Sequence, residues 1–142
     1  MAARPQSTTI NKGEGLMNTI YNSIIEKAEA MAPALQRCRR DLHTYAESGW
    51  FEIRTSSLIA QRLTELGYEV LTGRDVCLEE SRMGLPPEKV LAEQYQRALD
   101  QGAVQPWAER TRGGFTGVIG ILRCGESPVI AMRFDIDALG VF

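Results

Sequence analysis

The sequence predicts an α/β fold in which two helices lead into a short strand, a helical insertion interrupts the series, and a strand pair follows. Three observations predict it. From Ile20 the apolar residues Ile24, Ala28, Met31, Leu35 and Leu42 recur near the three-and-four spacing that gives a helix one buried stripe. Residues 72–114 turn polar between two patterned regions and read as an inserted segment. Residues 116–122 and 129–134 are rich in β-branched side chains, and Cys124, Gly125, Glu126 and Ser127 between them make a loop of hairpin length. An antiparallel strand pair is expected there.

Each element has a local reason. Pro33 lies inside the first helical pattern, where a missing donor and a crowded preceding turn predict a kink or restart. After a polar break at Glu47, Ser48 and Gly49, a second helix is expected over residues 54–66 with Leu58, Ile59, Leu63 and Leu66 inward. Gly67 ends it as a C-terminal cap, and residues 68–71 form the first short strand. Within the insertion, Pro86 and Pro87 open a third helix whose inward face is Val90, Leu91, Tyr95 and Leu99.

A chain of 142 residues with 44% hydrophobic and 24% charged residues fits one soluble globular domain. Residues 1–18 are polar and patternless and are expected to be a disordered extension, leaving residues 19–142 as the domain. The net charge of -2, with Arg37, Arg39 and Arg40 as the only tight basic cluster, gives no case for nucleic acid. No run approaches the ~18 apolar residues that a membrane span needs. A cytoplasmic location is the expectation. Cys38, Cys77 and Cys124 lack metal or redox spacing and read as reduced thiols, Cys38 as a core residue.

The chemistry-bearing residues stand at the end of the last expected strand, at Asp135 and Asp137. Side chains two apart in a strand share a face, so both carboxylates would enter one space, at the strand end where α/β sheets place ligands. Their repulsion calls for a cation, a proton or divergence, and a solvated strand end explains the pair equally. The run from Gly113 to Gly120 lacks the order of a dinucleotide loop, and its glycines enter a strand. His43 is the only histidine, so no histidine pair can hold a metal; it reads as a buried or capping residue near a helix end. Trp50 and Phe51 read as packing anchors.

Three ordered motifs add a resemblance. Arg39-Arg40-Asp41-Leu42-His43 with Ala46-Glu47-Ser48-Gly49-Trp50, Glu52 and Arg54-Thr55 resembles the opening signature of the aminoacylase/carboxypeptidase-like metallohydrolases. Gly114-Phe115-Thr116-Gly117-Val118 and Arg133-Phe134-Asp135-Ile136-Asp137-Ala138-Leu139 resemble its next two landmarks. The insertion with Glu79-Glu80-Ser81-Arg82-Met83-Gly84-Leu85-Pro86 is similar to one branch, most relatives having a shorter connection. This resemblance implies the N-terminal part of a zinc-peptidase-like catalytic domain, its strand pair belonging to a mixed sheet. It further implies hydrolysis of the amide of an N-acyl amino acid, by water activated between two divalent metal ions, zinc or manganese, and a glutamate base.

In the family the second aspartate of the Asp-x-Asp-Ala pattern orients a ligand beside the metal centre, a role that falls on Asp137. Asp135 is placed near the site and not as a ligand. The family's metal ligands and base lie beyond Phe142, so this stretch by itself is expected to be inactive and to bind no metal. The expected partners are a small-molecule amide and a second hydrolase subunit or another copy of the chain. The alternative is a non-catalytic module that docks on a partner subunit through an exposed Val90, Leu91, Tyr95 and Leu99 stripe.

Overall fold

The computed structural model describes residues 12–139. Helix α1 (Lys12–Thr44) is followed by α2 (Ile53–Glu65), β1 (Glu69–Thr72), α3 (Glu88–Asp100), α4 (Trp107–Arg110) and β2 (Val118–Ile121). Short 3-10 turns at Gly73–Asp75 and Glu79–Ser81 link β1 to α3. The chain divides into one unit up to Asp41 and a second from Leu42 onward.

The first unit is helical. Residues 12–18, read from the sequence as extension, form the first turns of α1, and residues 1–11 lie outside the described residues. The helix is continuous from Lys12 to Thr44 with Pro33 inside it, so no restart occurs. Its apolar stripe is exposed, contrary to expectation: Ile20, Ile24, Met31 and Leu35 keep 44–58% of their surface. Periodicity decides which side chains share a face and leaves open what covers that face. Cys38 is likewise exposed instead of buried, Cys77 is intermediate and Cys124 exposed, and all three are free.

In the second unit α2 is the central element. It packs on α3, α4 and both strands. Its buried face is Ile53, Ser56, Ser57 and Ala60, a different face from the Leu58, Ile59, Leu63 and Leu66 set expected from hydropathy. Leu66 is 54% exposed. The hydroxyls explain the exchange, because each buried one has a partner. Ser56 Oγ donates to the Thr116 carbonyl at 2.5 Å, and Ser57 Oγ donates to the Arg54 carbonyl at 2.7 Å while accepting the Val104 N–H at 2.9 Å. Small hydroxyl-bearing residues allow α2 to approach its neighbours closely without leaving polar atoms unpaired.

The helix ends as expected at Gly67. With Leu66 as C-cap, the Tyr68 N–H reaches the Leu63 carbonyl at 3.0 Å and the Gly67 N–H reaches Thr64 at 2.9 Å, the bond pair of a Schellman motif. Gly67 takes the positive φ of 83° that this motif needs.

β2 pairs with β1, and the expected hairpin with residues 129–134 does not form. The ladder is antiparallel, with Glu69 opposite Ile121 and Thr72 opposite Val118. The pairing depends on how closely β2 lies against α2 and β1: a Cβ on Gly120 would stand 2.9 Å from Leu63 and 3.1 Å from Tyr68. Thr72 Oγ1 extends the pairing by donating to the Gly117 carbonyl at 2.9 Å. Residues 129–134 have strand composition and no ladder partner, and Val129, Ile130, Met132 and Phe134 are 75–89% exposed. The described sheet is thus two-stranded and antiparallel, with no mixed pairing.

The insertion supplies much of the core. Tyr95 and Ala98 of α3 and Ala108 of α4 cluster with Ile53, with Leu99 and Ala103 packed around them. The α3 stripe therefore packs internally, Leu91 and Tyr95 at 5% exposure each, which removes the exposed face that the docking-module reading required. Phe115, at 1% exposure, lies between the guanidinium groups of Arg74 and Arg82 at 4.0 and 3.7 Å.

Gly73 gives a direct test of this packing. Its φ is 69°, and a Cβ there would stand 2.3 Å from the Arg110 carbonyl oxygen. Gly73→Ala should destabilise the fold by roughly 2–4 kcal/mol, against about 1 kcal/mol for Gly102→Ala, which has positive φ and open space. Urea unfolding of both variants checks this, and equal losses would refute it.

Candidate functional site

Helix α2 begins without a local cap. Glu52 occupies the N-cap position but makes no side-chain capping bond, so the first-turn amides need an acceptor from elsewhere. Glu47 supplies it from five positions upstream. Its Oε1 accepts the Arg54 N–H at 2.9 Å and its Oε2 accepts the Thr55 N–H at 2.8 Å, with the residue only 5% exposed. A carboxylate at a helix N-terminus gains from both charge-assisted bonds and the helix dipole. The chain turns between them through Trp50, whose φ of 71° is unusual for a side-chain-bearing residue.

With the amides taken by Glu47, the Glu52 carboxyl turns to Thr116, whose Oγ1 donates to it at 2.8 Å. Thr116 also accepts Ser56 Oγ through its carbonyl, so the segment entering β2 is held at two points on α2. The segment carrying the paired aspartates returns to the same place: the Ala138 N–H donates to the Glu47 carbonyl at 2.7 Å.

The two aspartates do not act as a matched pair on a strand, since residues 128–139 have no helix or strand. Asp135 is exposed and paired with Arg133 at 2.6 Å. Asp137 is also exposed, and its charge acts on Glu52. Burial pushes the Glu52 carboxyl above 4.5, the charges of Asp137 and Glu47 add to that rise, and the Thr116 hydroxyl opposes it. The arrangement therefore sets a buried carboxyl that keeps its proton to higher pH beside an exposed carboxylate.

His43, expected to be buried or capping, is exposed in the last turn of α1. Among the described residues no group of three or more His, Cys, Asp or Glu is arranged to hold a metal ion. The residues present do not fit a metal centre by themselves. A cavity of about 510 Å³ lies elsewhere in the unit, where Arg74, Arg110 and Arg112 face Asp75, Glu88 and Glu109, and none of Glu47, Glu52, Asp135 or Asp137 lines it. Its cations are already countered by carboxylates, as in the Arg112 to Glu109 pair at 3.3 Å.

Sequence reasoning missed Glu47, Glu52 and Thr116 as a unit. The available signal was the second helix itself, which starts without Ser, Thr, Asp or Asn before it and so requires a distant acceptor.

Glu52 should leave a mark on the pH dependence of stability. Below pH 4.5 it is protonated in both states and costs nothing. As pH rises above 4.5 the unfolded chain releases this proton first, so stability falls until the folded-state carboxyl also ionises. Glu52→Gln lacks this loss and can still accept from Thr116. Its stability relative to wild type should therefore rise with pH above 4.5, as read by urea unfolding at stepped pH, and a pH-independent difference would exclude the mechanism.

No protein-family model matches the chain. It is 49% identical over 115 residues to indole-3-acetyl-aspartic acid hydrolase of Enterobacter agglomerans, a match covering 80% of this chain and 26% of the relative. It is 48% identical over 118 residues to a p-aminobenzoyl-glutamate hydrolase subunit of Escherichia coli (strain K12), covering 82% of this chain and 27% of that protein. The crystal structure of an aminobenzoyl-glutamate utilization protein from Klebsiella pneumoniae superposes with a TM-score of 0.66 at 47% identity, over 67% of this chain and 24% of that one. The chain spans about a quarter of the length of the relatives it matches. No described helix is long and apolar enough to cross a membrane. In sequence and in fold, the chain is a homologue of part of the p-aminobenzoyl-glutamate hydrolase proteins.

Proposed function

We propose that this chain is a portion of a metal-dependent amidohydrolase that cleaves an aromatic acyl group from an acidic amino acid, with p-aminobenzoyl-glutamate, giving p-aminobenzoate and glutamate, as the substrate. The observation that carries the reading is the near-equal identity to two hydrolases whose names specify such amides, one of aspartate and one of glutamate. An aromatic acyl group joined to a dicarboxylic amino acid is what the two substrates share.

In this reading Asp137 orients a ligand at the reacting centre and Asp135 lies near it. The ordered match of the Asp-x-Asp-Ala pattern supports the assignment, together with the return of Ala138 to the α2 N-terminus beside Glu47. The two divalent ions, zinc or manganese, and the general base belong to the complete enzyme. The 142 residues alone do not turn over the amide. A second, different subunit is the proposed partner, since the Escherichia coli relative is named as one subunit of its hydrolase. The proposed location is the cytoplasm.

The test is release of p-aminobenzoate by the 142-residue chain and by a chimera joining it to the remaining three-quarters of the Escherichia coli relative. The chain alone should release none, and the chimera should be active with added zinc or manganese. Asp137→Asn in the chimera should lower turnover about 10- to 100-fold or more, whereas Asp135→Asn should cost less. An active isolated chain would refute the inactivity, and undiminished turnover in Asp137→Asn would refute the role of Asp137.

A further inference from the structure

Glu47 makes contacts that reach past the cap of α2. Its side chain is committed to the amides of Arg54 and Thr55, and its own carbonyl accepts the Ala138 N–H at 2.7 Å. Ala138 directly follows Asp137, in a segment without helix or strand whose apolar side chains are exposed. The loop that carries Glu47 is itself held on both sides. Arg97 of α3 donates to the Ala46 carbonyl at 3.2 Å, and the Arg54 guanidinium lies 4.5 Å from the Tyr45 ring centroid. A backbone carbonyl fixed this firmly is a definite anchor for an otherwise irregular segment.

We infer that Glu47 is a positioning residue for Asp137: by locking its loop to the first turn of α2, it fixes the carbonyl that holds Ala138 and thereby places the Asp137 carboxylate beside Glu52. The inference rests on the reading of Asp137 as the ligand-orienting residue and identifies what holds that residue in place. Glu47 touches no reacting atom in this role. It acts through one backbone hydrogen bond.

Amide hydrogen exchange by NMR on the 142-residue chain tests it, with Glu47→Ala and Glu47→Gln beside wild type. The glutamine keeps one acceptor oxygen for the α2 amides, while alanine keeps only the backbone carbonyl. In Glu47→Ala the Ala138 N–H should exchange about tenfold faster, the size expected for one lost hydrogen bond, while Tyr95 and Ala98 in α3 stay within about twofold. Glu47→Gln should fall between, and the Asp137 side-chain carboxyl 13C signal should shift in both variants. Unchanged exchange at Ala138 overturns the inference, because the lock then does not govern the segment. Equal acceleration at Ala138, Tyr95 and Ala98 overturns it too, because Glu47 would then serve only general stability. If Glu47→Ala does not fold, Glu47→Gln decides by the same signals. Turnover of the Asp137→Asn chimera tests the hydrolase reading separately, so the two failures can be told apart.

Discussion

The first turn of α2 presents the buried N–H groups of Arg54 and Thr55 with no acceptor in their own helix, and the two oxygens of Glu47 take both. Much of the second unit follows from this pairing. A buried unpaired amide costs more than a typical hydrogen bond contributes, so the loop before α2 is obliged to bring a carboxylate back to the helix end. Because Glu47 does the capping, Glu52 is free to turn toward Thr116, and the segment entering β2 is drawn onto the helix. Because the Glu47 backbone is fixed in the process, the segment holding Asp137 gains an anchor.

The core around this helix is built largely from small and hydroxyl-bearing residues. Ser56, Ser57, Thr72, Thr111 and Thr116 are all nearly or fully buried, and each donates its hydroxyl hydrogen to a carbonyl or carboxylate. Such residues add little apolar area, so their value lies in close approach and in fixing which backbone segments meet. The large apolar contributions come from Ile53 and Phe115 and, through Tyr95, from the insertion. The insertion is therefore integral to the unit, and removing residues 72–114 would remove much of its core.

Placement of the functional residues follows the same logic. The exposed Asp137 carboxylate stands near a buried carboxyl whose charge is suppressed by burial, so the negative charge at this point concentrates on the exposed member. That is a useful arrangement for a group meant to accept hydrogen bonds or orient a positively polarised ligand. Asp135, paired with Arg133, is occupied locally and contributes no comparable feature. The divergence of the two aspartates comes from the loss of strand geometry after residue 128, which removes the alternation that would have aligned them.

Sequence alone determined what depends on neighbours along the chain. Helical periodicity located α1, α2 and α3, Gly67 marked the end of α2, and ordered motifs pointed to amide-hydrolase relatives and to Asp137. Tertiary structure decided whatever depends on which surfaces meet. It chose β1 over residues 129–134 as the partner of β2, because ladder pairing follows the edge that packing on α2 makes available. It buried the serine face of α2 in place of its leucines, because hydroxyls can be satisfied by carbonyls from distant segments that no local pattern reveals. It joined Glu47, Glu52 and Thr116, separated by up to 69 positions in the chain, because a helix end must find acceptors in space, and sequence spacing does not record that search.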